Sequence, residues 1–129
     1  NIIPTSTGAA RATGLVLQAM NGKLDGTSLR VPIPDGSITD FTAVLSATPS
    51  VEDINQAFAS AASTDPLQGV LSYSEDPLVS ADIVGDPSSC VFDSGLTMTV
   101  DNLAKVSGWY DNEWGYSNRL VDLVEITCS

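Results

Sequence analysis

Between residues 107 and 119 the chain reads Ser-Gly-Trp-Tyr-Asp-Asn-Glu-Trp-Gly-Tyr-Ser-Asn-Arg, and four of its eight aromatic residues crowd into eight consecutive positions there. The pattern changes period inside this segment. From Leu103 to Tyr110 it alternates as a strand does, and from Glu113 to about Thr127 it carries Trp114, Leu120, Val121 and Val124 on or near one helical face. The Asp111–Asn112 pair falls at the switch, where a helix start favours a short side chain that can accept from free backbone N–H groups. A strand that reverses directly into a helix limits the fold to sheet packed with helix.

The rest of the chain supports the same class. Thr5-Ser6-Thr7-Gly8 reads as a hydroxyl-rich helix start, with apolar residues from Ala9 to Met20 and a stop at Asn21–Gly22. Residues 28–34 alternate like a strand, and Pro32 and Pro34 push it to an edge. Asp35–Gly36 is a turn, and Ile38, Phe41, Val44 and Leu45 mark the next strand. Ser50-Val51-Glu52-Asp53 has the form of a capping box, opening a helix with Ile54, Ala57, Phe58 and Ala61 on one stripe. Residues 69–73 form a short strand, and an acidic connection runs from Glu75 to Asp86. Strands are then expected over 89–93, 96–100 and 103–110. Strands outnumber helices and several connections are short, which predicts an α+β fold: a mixed, mostly antiparallel sheet with helices packed on one face. There is no G-x-G-x-x-G and no regular βαβ alternation, so no Rossmann domain is expected in this chain.

Composition narrows function by exclusion. At 129 residues the chain makes one domain at most. Sixteen acids oppose five bases, a balance that argues against nucleic acid and anionic membrane as partners. The five bases, Arg11, Lys23, Arg30, Lys105 and Arg119, are therefore informative. Two cysteines do not make a disulfide framework, which suits a reducing, cytoplasmic setting. There is no histidine. Cys90 accordingly lacks a base to take its proton, and Asp86 and Asp93 nearby in sequence oppose a thiolate. No metal site is expected, since neither cysteine has a partner at finger-like spacing; Glu75, Asp76 and Asp82 read as a solvated acidic loop.

Two places remain that can grip a ligand. Asn112 donates from its NH2 and accepts at its carbonyl, so it can pair with another carboxamide, and Tyr116 one turn on can close over a flat polar ring such as a nicotinamide. The alternative is that Asp111 or Asn112 only caps the helix and the aromatics are core. Thr7, Gly8 and the following alanines form a helix N-terminus suited to an anion, with Arg30 the best-placed base to complete it. The alternative there is an ordinary capped helix and a surface arginine.

Specific stretches resemble a known family. Asn1-Ile2-Ile3-Pro4, Thr7-Gly8-Ala9-Ala10, Asn21-Gly22-Lys23-Leu24, Leu29-Arg30-Val31-Pro32, Glu75-Asp76-Pro77-Leu78-Val79-Ser80 and Trp109 through Arg119, ending in Val121-Asp122-Leu123, resemble the C-terminal part of the catalytic domain of phosphorylating glyceraldehyde-3-phosphate dehydrogenases. The related erythrose-4-phosphate dehydrogenases are similar too, but Tyr110 fits the former better. The resemblance implies a subunit of a cytoplasmic homotetramer that converts glyceraldehyde 3-phosphate, inorganic phosphate and NAD to 1,3-bisphosphoglycerate and NADH. It implies that Asn112 binds the nicotinamide carboxamide, that Tyr116 lies beside the ring, and that Thr7, Gly8 and Arg30 serve inorganic phosphate and substrate phosphate. The family's Ser-Cys-Thr-Thr-Asn nucleophile motif, its histidine base and its cofactor domain do not occur in this chain, and Ser89-Cys90-Val91-Phe92 matches a structural strand instead. The expectation is a fragment without catalytic residues, inactive alone; its choice of NAD over NADP belongs to the absent domain. The alternatives are a non-catalytic, self-associating interaction module, or a fragment of an erythrose-4-phosphate dehydrogenase.

Overall fold

The structure, a computed structural model, describes residues 1–128 and divides into two compact units, Asn1–Pro34 and one beginning at Asp35. The first unit holds β1 (Ile3–Ser6), α1 (Ala9–Val16) and β2 (Thr27–Arg30), with β1 and β2 paired antiparallel. The expected helix is thus preceded by a strand and stops four residues early, giving way to a 3-10 turn over Gln18–Met20. The strand expected over 28–34 ends at Arg30, because Pro32 and Pro34 have no N–H to donate to a ladder.

The second unit is a four-stranded sheet of β3 (Ser37–Val44), β4 (Leu71–Ser74), β5 (Cys90–Val100) and β6 (Leu103–Tyr110), in the order β3-β6-β5-β4. Its β3–β6 and β5–β6 pairs are antiparallel and its β4–β5 pair is parallel, so the α+β class and the mostly antiparallel sheet hold. Two of the expected strands are one: 89–93 and 96–100 join into β5, with a register shift between Asp93 and Met98. Gly95 breaks the alternation there, which makes a bulge look like a loop in sequence.

Helix α2 (Val51–Ala62) starts as expected: Ser50 Oγ accepts from Asp53 N–H at 3.1 Å, and Asp53 accepts from Ser50 N–H at 3.0 Å. Its apolar stripe covers one sheet face, where Ile54, Leu71, Phe92 and Ala104 form the buried core. Phe58 stacks on Phe92 with ring centroids 4.0 Å apart, and Tyr73 adds a second ring at 5.8 Å. Phe92→Ala should therefore cost about 3–5 kcal/mol.

A short helix, α3 (Ser80–Ile83), interrupts the acidic connection, and Asp82 caps it by accepting from Val79 N–H at 2.8 Å. The last helix, α4 (Asn112–Cys128), is attached by its polar side. Asp111 is buried and spans two backbone donors, accepting from Trp114 N–H at 2.7 Å and from Gly85 N–H at 2.8 Å. One turn on, Gly115 approaches the Ser88 backbone so closely that a Cβ would stand 2.8 Å from the Ser88 carbonyl oxygen. Another turn on, Arg119 donates to Ser89 Oγ at 3.1 Å and to the Pro87 carbonyl at 3.3 Å. The apolar residues expected to be packed face away: Trp114, Leu120, Val121 and Val124 are all exposed. Spacing gave their common face correctly but not its direction.

The start of α4 is also electrostatically loaded. Backbone N–H bonds from Gly85 and Trp114 hold the Asp111 carboxyl below the usual carboxylate range. Glu113 is pushed the other way, first by its hydrogen bond with Asp35 and then by repulsion from that carboxylate. A carboxyl raised above its unfolded value of about 4.3 opposes folding increasingly as pH rises through that window, and does not oppose it below.

Two measurements test this account. Gly115→Ala improves intrinsic helix propensity by about 1 kcal/mol. The clash with backbone at Ser88 should outweigh that, lowering the urea midpoint; a raised midpoint would contradict the docking. Glu113→Gln should raise the unfolding midpoint at pH 7 and leave it unchanged near pH ~3, where the wild-type carboxyl is protonated in both states. An equal gain at both pH values would mean that repulsion from Asp35 is not its source.

Candidate functional site

The strand-to-helix junction has a division of labour. Capping belongs to Asp111, whose two oxygens are engaged by Gly85 and Trp114 N–H groups. Asn112, the next residue, is exposed and released from that task. Its Oδ1 accepts from the Ser37 hydroxyl at 3.3 Å, and its Nδ2 has no hydrogen-bond partner among the described residues. Ser37 opens β3 and pairs with Tyr110, the last residue of β6, so the sheet itself carries the hydroxyl to the helix start. Tyr116 follows Asn112 by four residues on the same helical side and is 66% exposed. Trp114 is exposed as well, so within this chain α4's aromatics are not core. The aromatic that does pack with a polar partner is Trp109, whose indole N–H donates to the buried Asp93 at 2.9 Å.

Three carboxylates, Asp35, Asp111 and Glu113, converge at this junction with one oxygen of each within 4.8 Å of the others. Sequence spacing pointed to Glu75, Asp76 and Asp82 as the acidic group; the convergent acids come from a turn and a helix start far apart in the chain. Asp111 spends its oxygens on backbone N–H groups, Asp35 accepts from Gly36 N–H at 2.6 Å, and the Asp35–Glu113 pair shares a hydrogen bond. These bonds account for the cluster through groups of the chain itself.

The first unit carries the other expected residues. Thr7 Oγ1 accepts from Ala9 N–H at 3.2 Å, and Gly8 is the N-cap of α1 with no side-chain cap of its own. Arg30 lies on β2 opposite Ile3, whereas the other end of the ladder pairs Ser6 with Thr27. With a rise of ~3.3 Å per residue, those two pairs are about 10 Å apart, so the ladder separates the Arg30 backbone from Thr7 and Gly8. The expected pairing of Arg30 with that helix N-terminus therefore rests on the reach of its side chain. Charge is segregated too. Residues 1–34 hold three of the five bases and only one of the sixteen acids, Asp25. Among the described residues Arg11, Lys23 and Arg30 make no ion pair, while Lys105 pairs with Asp40 at 2.8 Å and Arg119 with Asp122 at 2.6 Å.

Cys90 is half-buried on β5, and burial raises its thiol pKa. Its sulfur fills the space where a side chain at Gly108, across the sheet on β6, would stand. That is a packing role, and burial rather than Asp86 or Asp93 is what disfavours its thiolate. Cys128 is exposed. Among the described residues no helix is long and apolar enough to cross a membrane.

Sequence reasoning missed two members of the junction, Ser37 and Asp35. No local signal marks them, since β3 reaches the helix start only through sheet pairing with β6.

The sequence matches a family of known proteins. The family model described as glyceraldehyde 3-phosphate dehydrogenase, C-terminal domain, matches residues 1–112. A glyceraldehyde-3-phosphate dehydrogenase of Mycobacterium avium is 64% identical over 126 residues, covering 98% of this chain and 37% of the relative. One from Mycolicibacterium smegmatis is 63% identical with the same coverage, and glyceraldehyde-3-phosphate dehydrogenase 2 of Streptomyces arenae is 59% identical over 126 residues, again 98% and 37%. The chain thus spans little more than a third of the length of these relatives. With the family model matching residues 1–112 and a relative 64% identical over 98% of the chain, the chain belongs to the glyceraldehyde 3-phosphate dehydrogenase C-terminal domain family.

Proposed function

We propose that this chain is the ligand-gripping part of an NAD-dependent, phosphorylating glyceraldehyde-3-phosphate dehydrogenase of the cytoplasm. The whole protein would turn glyceraldehyde 3-phosphate, inorganic phosphate and NAD into 1,3-bisphosphoglycerate and NADH. The observation that carries the reading is the unengaged amide nitrogen of Asn112: the residue sits at a helix start whose capping is done by its neighbour, and its NH2 has no partner among the described residues.

Asn112 and Tyr116 fit a nicotinamide, one offering N–H donors to a carboxamide and the other an exposed ring edge or face. Bound there, the nicotinamide supplies a hydride acceptor. The work of this chain is to hold and orient. Thr7 and Gly8 present a helix N-terminus, whose N–H groups favour an anion. Arg30 offers a guanidinium that no carboxylate of the described chain engages. The segregation of unpaired bases into residues 1–34 supports phosphate chemistry in that unit, since the rest of the chain is strongly acidic. The nucleophilic thiolate and the general base would come from residues outside this chain: Cys90 is engaged in packing and no histidine is present.

A second feature favours assembly. Ile38, Val44, Met98, Val100 and Leu103 are exposed on the sheet face opposite Phe92, and α4 turns its apolar residues outward. Surface of this kind is a contact site, and it supports a homo-oligomer, with a tetramer as the family-level expectation.

In the full-length enzyme, Arg30→Ala should raise the KM of a phosphate-bearing ligand by one to two orders of magnitude, as loss of a charge-assisted bond of about 1.5–3 kcal/mol requires, and leave the KM for NAD nearly unchanged. Asn112→Ala should do the reverse; equal effects of both substitutions on both ligands would remove the assignment. The chain by itself should produce no NADH from aldehyde, NAD and phosphate, and should self-associate in sedimentation. A clean monomer at high concentration would count against the contact surfaces.

A further inference from the structure

We propose that Ser37 is a positioning residue for the cofactor carboxamide: by donating its hydroxyl to Asn112 Oδ1 it fixes which edge of the asparagine faces the ligand. The inference rests on reading Asn112 as the carboxamide ligand, and it adds a residue and a polarity to that reading.

The geometry comes from two elements that meet only through the sheet. Ser37 is the first residue of β3, directly after the turn at Gly36, and its register partner is Tyr110, two residues before Asn112. The Ser37 hydroxyl lies 3.3 Å from Asn112 Oδ1 and has no other partner among the described residues. Asn112 sits at the beginning of α4, where Asp111 holds the backbone by two N–H bonds, so the main chain is fixed by the cap and the side chain's orientation is left to Ser37.

A terminal carboxamide rotates easily, and a ligand carboxamide could be met in either of two senses. With its oxygen engaged by Ser37, Asn112 offers its two N–H groups, so the site reads a carbonyl oxygen rather than an amino group on the ligand. The other sense, in which Ser37 accepts from Nδ2 and leaves the asparagine oxygen to accept from the ligand NH2, is chemically open to a hydroxyl, and it predicts a different ligand preference.

The test uses the full-length enzyme, and reads both Kd by equilibrium binding and KM for two cofactors: NAD, and its 3-acetylpyridine analogue, which keeps the carbonyl oxygen and lacks the NH2; each change in KM stated below is expected equally in Kd. Asn112→Ala should raise the KM of both by similar factors; a loss confined to NAD would show that Asn112 accepts from the NH2 and would overturn the polarity. Ser37→Ala should raise KM for NAD by about three- to tenfold, as loss of one neutral hydrogen bond does, with a smaller change in kcat. Ser37→Thr, which keeps the hydroxyl, should restore most of that loss. Adding Ser37→Ala to Asn112→Ala should change KM no further, since the serine acts through the asparagine. If Ser37→Ala leaves KM unchanged while Asn112→Ala raises it, the positioning role is wrong and the reading of Asn112 stands. If Asn112→Ala leaves KM for NAD unchanged, the reading itself falls with the proposal.

Discussion

The Asp111 carboxylate is the constraint on which the second unit turns. It accepts from Trp114 N–H within its own helix and from Gly85 N–H in the connection after α3, so one side chain starts a helix and ties that start to a loop 26 residues earlier. A helix N-terminus leaves backbone donors without intrahelical partners, and burying that end without an acceptor would be unfavourable. Asp111 removes the difficulty and is itself held ionised by the same bonds. The neighbouring asparagine then has no structural duty at the cap. An exposed amide on a rigid backbone is the product of a division between two adjacent residues, one capping and one released from the cap.

Polarity elsewhere in α4 follows from the same attachment. Asp111, Gly115 and Arg119 recur every four residues and all meet the connection over residues 85–89. The helix is therefore held by carboxylate, glycine and guanidinium, and its apolar side is turned outward. For a helix of a self-sufficient domain the arrangement is inverted, since burial of the apolar stripe is normally what stabilises a surface helix. The inversion is understandable if the stripe is covered by further protein, and membership of a family whose relatives are nearly three times as long supplies a ready reason for such a stripe.

What could be read from sequence was what is local. The Ser50–Asp53 capping box, the stripe of α2 and the Asp-Asn switch between β6 and α4 are set by residues within one turn of each other, and each is realised as the pattern suggests. Misreadings arise where distant contacts decide. Ile3–Ser6 has no pattern of its own and becomes a strand because Thr27–Arg30 pairs with it. Gly95 interrupts the alternation of β5, but pairing with β6 on both sides of the shift keeps it one strand. Val79 to Ile83 looks like solvated loop, yet Ile83 is almost wholly buried. The site divides the same way: Asn112 and Tyr116 stand out because they share a short segment, whereas Ser37 lies 75 residues from the asparagine it meets.

Charge completes the division between the two units. A phosphate-bearing ligand is anionic, and the second unit carries fifteen of the sixteen acids, so its net charge opposes an anion. The first unit is nearly free of acids and keeps its three bases clear of carboxylates. Arg119, the one arginine of the second unit, is already engaged by Asp122, Ser89 and Pro87 in holding α4. That leaves Arg30 as the arginine with both a strand to fix its backbone and no prior partner for its fork. The proposed grip of the first unit on phosphate and of the second on the nicotinamide is consistent with where the uncommitted side chains lie.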